Sequence, residues 1–119
     1  MKSGGRRLAG LPIAALAAIG VLTLAAAGLS PAAPRPQRHV IEIQGMAFHP
    51  AELQIDRGDT VGWINRDIVP HTATSTGKPA WDTGTLGQGA SGQYVPRHKG
   101  EEPYFCKFHP VMLGKLIIR

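Results

Sequence analysis

The sequence predicts a small all-β sandwich or barrel, and three observations carry that prediction. Short stretches alternate apolar and polar residues with period two, and turn-forming Gly, Pro and Asp separate them. Nothing after residue 38 sustains a helical period. The first stretch is Val40 to Gln44, with Ile41 and Ile43 on one face and Val40, Glu42 and Gln44 on the other. Ala51 to Asp56 follows, with Ala51, Leu53 and Ile55 expected inward and Glu52, Gln54 and Asp56 outward. Gly58-Asp59 marks a turn into Thr60 to Asn65, which carries Val61 and Trp63 on a common face. Further strands are expected at Thr72 to Ser75, Ser91 to Val95, Tyr104 to Cys106 and Lys115 to Arg119. Gly77-Lys78-Pro79 and the glycine-rich Gly84 to Gly92 read as connections, and the latter lacks the lysine and strand–helix context of a phosphate loop. No internal repeat is evident.

The first third of the 119 residues has a different character. Met1 to Arg7 carries Lys2, Arg6 and Arg7, and Leu8 to Leu29 is an uncharged run of 22 residues rich in Ala, Leu, Gly and Ile. Ala25 and Ala27 offer a small-residue cleavage site, and residues 28–38 form a Pro/Ala-rich linker. This order of basic, apolar and small-residue segments predicts an export signal over 1–27 and a folded domain over 39–119. Arg6-Arg7 admits a twin-arginine route, although Leu8-Ala9-Gly10 continues it poorly. An uncleaved anchor is the alternative, since 22 uncharged residues can span a bilayer. Pro12 and three glycines weaken a permanent helix and favour cleavage. Either route puts the domain outside the cytoplasm, periplasmic or otherwise exported, with a membrane contact expected only through the N-terminal segment if it is uncleaved.

Removing Lys2, Arg6 and Arg7 leaves ten basic residues against eight acidic ones, a net charge near +2. No basic run or aromatic-interleaved patch argues for nucleic acid. A domain of this size buries a modest core, and such domains often rely on disulfides or a metal. The single cysteine, Cys106, cannot form an internal bridge, so in an exported protein it needs another role.

That role is suggested by Cys106-Lys107-Phe108-His109-Pro110-Val111-Met112. A thiolate, an imidazole and a thioether in one short loop form a soft donor set that suits copper better than zinc, calcium or magnesium. Pro70-His71-Thr72 supplies a second imidazole, 35 residues before Cys106, from a loop after the Trp63 strand. With residues 107–114 read as a loop at one end of a sandwich, His71, Cys106 and His109 can surround one ion. Met112 would then stand on the axial side at longer range.

These residues resemble the cupredoxins, or type 1 blue copper proteins. The spacing Cys106-x-x-His109-x-x-Met112 with Pro110 after the histidine is most similar to the amicyanin and pseudoazurin branch. Seven residues after Met112 leave no room for the C-terminal helices of a pseudoazurin, so the likeness is amicyanin-like. It extends through Phe48-His49-Pro50, Gly58 to Asp67 and Pro70-His71. The resemblance implies a Greek-key sandwich, one copper ion and single-electron transfer without bond-making. It makes His71, Cys106 and His109 the equatorial ligands and Met112 the axial one. Redox partner proteins are expected to dock near His109, Pro110 and Val111 on a monomeric carrier. Thr72 departs from the Asn that often follows the first histidine in the family. Its hydroxyl or its N–H is expected to brace the loop instead.

Other readings compete. A lone Cys is often a buried small hydrophobe, and Met112 could be core filler. His39, His49 and His98 are expected at the surface or in loops, and Trp63, Trp81, Phe105 and Phe108 in packing. A copper storage or delivery protein would use the same soft ligands, but three methionines, one of them Met1, are few for exchangeable sites. A hydrolase with Cys106 as nucleophile and His71 or His109 as base lacks an orienting residue. Five histidines cannot furnish the additional centre of a multicopper oxidase.

Overall fold

A computed structural model describes residues 3–5, 9–23, 28 and 35–119. The chain divides into two units, Met1–Ala32 and Ala33–Arg119. In the first, residues 9–23 form neither helix nor strand, and no described helix is long and apolar enough to cross a membrane. Lys2, Arg6, Arg7, Ala25, Ala27 and most of the linker lie outside the described residues.

The second unit is all-β. Its strands are β1 (Arg38–Ile43), β2 (Phe48–His49), β3 (Glu52–Ile55), β4 (Thr60–Asn65), β5 (Thr74–Ser75), β6 (Ser91–Tyr94), β7 (Gly100–Phe105) and β8 (Leu113–Ile118). They form two four-stranded sheets, ordered β2-β1-β4-β6 and β3-β8-β7-β5. The pairs β1/β4 and β3/β8 are parallel and the other ladders antiparallel.

The alternation in β1 and β4 is realised: Ile41, Ile43, Val61 and Trp63 are fully buried. They meet Tyr104, Leu116 and Ile118 of the facing sheet across one core. Aromatic rings fill its centre. Trp63 stacks on Trp81 at 5.2 Å, Trp81 on Tyr94 at 4.5 Å, and Tyr104 meets both Phe48 and Trp63 edge-on. Tyr104 also requires Gly114 beside it, since a Cβ there would lie 2.1 Å from the ring. Burial pushes the Tyr104 hydroxyl up to about 12.

Several expectations are corrected. β1 starts at Arg38, and the short strand β2 was not anticipated. Ala51 is exposed, because β3 begins one residue later. β7 begins at Gly100, so Glu101-Glu102-Pro103 are strand residues. Pro103 is tolerated because β5 ends at Ser75, opposite Tyr104; beyond it Thr76 N donates to the Pro103 carbonyl at 3.0 Å, so the missing N–H costs no strand ladder bond. Glu102 is buried because its Oε1 accepts from both Tyr94 Oη at 2.8 Å and Trp81 Nε1 at 3.0 Å. The loop between β7 and β8 is 106–112 rather than 107–114.

Candidate metal centre

The antiparallel register of β7 and β8 pairs Phe105 with Leu113 and leaves the seven residues Cys106 to Met112 as a closed loop. Its backbone bonds to itself. Cys106 N donates to Met112 O at 3.1 Å, His109 N to Cys106 O at 3.2 Å, and Met112 N to His109 O at 2.8 Å. These turns direct the Cys106 thiol inward, fully buried, and leave His109 half-buried at the rim. Met112 is 4% exposed and belongs to the core cluster.

His71 comes from the loop after β4. A bridge to Leu86 fixes its backbone, with N–H···O distances of 3.1 and 2.8 Å in the two directions. Its side chain is fully buried, and its ring lies 5.1 Å from that of His109. Cys106 Sγ stands 3.6 Å from His71 Nδ1 and 3.8 Å from His109 Nδ1. One donor atom from each of the three residues lies within 4.8 Å of the others. Three donors each about 2.1 Å from a central ion would be about 3.6 Å apart, so the spacing fits a trigonal His₂Cys site.

A surrounding shell fixes these donors. His71 Nε2 is 2.8 Å from Asp67 Oδ2, which leaves Nδ1 toward the thiol. Asp67 accepts from Gly45 N at 2.8 Å and Met46 N at 3.0 Å, offered by a turn with positive φ at both residues. The Met46 N–H above all, then that of Gly45 and the His71 ring, holds the Asp67 carboxyl below the ordinary carboxylate range, against the opposing effect of burial. Asn65 Oδ1 accepts from Asp67 N at 2.9 Å, while its amide donates to Val69 O and Leu86 O. Thr72 N donates to Cys106 Sγ at 3.4 Å, and Thr72 Oγ1 accepts from Lys107 N at 2.9 Å. Lys107 Nζ pairs with Asp82, tying the loop to the β5–β6 connection.

His71, Cys106 and His109 are brought together, and Met112 closes the same loop. Asp67 was not anticipated as the partner of His71; its position four residues before a candidate ligand was the available signal. His39 is also corrected, since its Nε2 lies 2.9 Å from Asp59 Oδ2. His49 and His98 are exposed as expected, although His49 lies in β2 and its Nε2 is 2.9 Å from Gln44 O. Trp63 and Trp81 pack as expected, but Phe108 is 50% exposed.

The profile described as "Copper binding proteins, plastocyanin/azurin family" matches residues 37–119. The chain belongs to this family. Its cofactor is thus copper, and His71, Cys106, His109 and Met112 form an arrangement like a type 1 site. Among relatives, amicyanin of Paracoccus denitrificans is 32% identical over 89 residues, covering 66% of this chain and 63% of that protein. The chain thus spans under two thirds of that relative's length. Amicyanin-alpha of Methylorubrum extorquens is 30% identical over 112 residues, covering 88% of this chain and 93% of that one. A reduced amicyanin variant superposes with a TM-score of 0.65 at 30% identity, covering 69% of this chain and 82% of its own. A Cu(I) form of another variant gives 0.66 at 28%, covering 72% and 86%. The cupredoxin sandwich is accordingly the fold of this chain.

Proposed function

We propose that this cupredoxin is an exported one-electron carrier, with His71, Cys106 and His109 as equatorial copper ligands and Met112 as the axial one. The convergence of the three donors from two loops at trigonal spacing carries this reading. Bound copper would supply the Cu(I)/Cu(II) couple; the chain's own part is to hold the donors in one arrangement. The bridge at His71, the Asp67 carboxylate, Thr72 and the self-bonded loop all resist rearrangement, which favours rapid electron exchange.

His109 is the one histidine donor with surface access; its loop neighbours Phe108, Pro110 and Val111 are exposed, as are Ile68 and Val69 in the loop that carries His71. An apolar rim of this kind suits transient docking of redox proteins. Full burial of His71 and Cys106 disfavours an exchangeable delivery site. We read residues 1–27 as the export signal and the stretch from 28 up to the start of β1 as the linker, with the domain beyond it monomeric and periplasmic.

Adding Cu(II) to the purified apo-protein tests the reading. An intense blue thiolate charge-transfer band that bleaches and returns through redox cycles is expected, and C106A should lack it. A colourless adduct would remove the carrier assignment.

A further inference from the structure

We infer that the end of the sandwich opposite the donor cluster is a docking face for an anionic phospholipid surface. Ten basic residues are scattered over positions 35–119, and the topology gathers six of them, Arg35, Arg38, Arg57, Arg97, Lys99 and Arg119, at this end. Arg38 opens β1 opposite Thr60, and Gly100 opens β7 opposite Ile118. Arg57 N donates to Arg119 O at 3.1 Å and Gly58 N to Pro96 O at 2.9 Å, which draws the turns together. All six basic residues are exposed.

The carboxylates at this end are already engaged. Asp59 accepts from Gln37 N and Asp56 N and pairs with His39, while Asp56 Oδ1 takes Arg119 Nε at 3.3 Å. Arg35, Arg57 and Lys99 have no carboxylate partner among the described residues. With Arg119 they line a cavity of about 360 Å³ that also touches Asp56 and Asp59. That shape and charge can receive a phosphodiester headgroup.

Two observations favour a bilayer over a free anion. Arg38 and Arg97 share this end but lie outside the cavity, so positive charge spreads across a face instead of converging on one point. Only five residues also separate the end of the uncharged run Leu8 to Leu29 from Arg35, so a retained leader would hold this end beside headgroups. The second observation rests on the anchor alternative, in which the leader is kept; the first does not. Docked in this way, the domain would turn His109 and its apolar rim away from the membrane.

The test mixes the full chain with vesicles of phosphatidylcholine, with and without phosphatidylglycerol, each carrying a headgroup spin label. Phosphatidylglycerol should broaden the amide signals of Arg57, Lys99 and Arg119 and leave Phe108 and Val111 sharp, and high salt should reverse the effect. Each basic residue near an anionic surface is worth about fivefold in partitioning, so R57Q/K99Q should weaken the phosphatidylglycerol-dependent binding about 30-fold. Its thermal unfolding should match that of the parent. Flotation with phosphatidylcholine alone reads leader insertion separately. Its failure counts against the anchor, and binding from solution to phosphatidylglycerol vesicles then scores the basic face. Equal broadening at both ends, no dependence on phosphatidylglycerol, or undiminished binding by R57Q/K99Q overturns the inference. So does displacement by inorganic phosphate at matched ionic strength, which would make the cavity a free-anion site.

Discussion

Thr72 holds the Cys106 turn from two directions: its N–H reaches the thiol sulfur at 3.4 Å, and its hydroxyl accepts the N–H of Lys107 at 2.9 Å. The backbone contact acts on the sulfur and the side-chain contact on the loop, so the two are separable. T72V keeps the first and leaves the Lys107 N–H short of a partner, at a cost of about 1–3 kcal/mol. Unfolding should shift accordingly while the copper absorption band stays in place. A displaced band at unchanged stability would mean that the hydroxyl acts on the metal instead.

Met112 gives a second expectation. M112L should retain copper, because the proposed equatorial set is untouched, and should raise the reduction potential by removing a sulfur donor that favours Cu(II). Voltammetry decides this. An unchanged potential would assign Met112 to packing alone.

Asp67 fixes which His71 nitrogen faces the thiol. D67A releases that ring and also strands the N–H groups of Gly45 and Met46. Losing such an outer partner typically costs about 10–100-fold in metal affinity. Competition against a chelator should show a loss in that range, and equal affinities would leave Asp67 with only a structural role.

Asp59 sets the acid limit of the opposite end. The Gln37 N–H and the His39 side chain hold its carboxyl below the ordinary range, outweighing burial. A depressed carboxyl contributes stability that is fully present above its unfolded pKa and is lost as pH falls through its folded pKa. The parent should therefore lose stability below the ordinary carboxylate range, and D59N should show a shallower acid decline in melting temperature. Parallel declines would exclude Asp59 as the group responsible.

Much of this was readable in the chain because the signals were local. Ile41, Ile43, Val61 and Trp63 alternate on half-buried strands, and Cys106, His109 and Met112 are neighbours in one loop. The pattern predicts a shorter β7 because Pro103 and the buried Glu102 contradict a strand; the end of β5 at Ser75 and the two hydrogen-bond donors to Glu102 that admit them are tertiary. The carboxylate of Asp67 depends on a loop conformation that no periodicity encodes. The basic end is invisible to a charge count, since Arg35, Arg57, Lys99 and Arg119 are joined only by topology.

The closed loop from Cys106 to Met112 has one further consequence. Its buried or half-buried members, Cys106, His109 and Met112, carry every candidate donor in it, whereas Lys107, Phe108, Pro110 and Val111 are exposed. The bonds the loop makes to itself join only Cys106, His109 and Met112, and Lys107 is held by Thr72 and Asp82, so the outward side chains of Phe108, Pro110 and Val111 are free to vary. Mutation can thus diversify what the protein is recognised by while its redox chemistry is inherited unchanged.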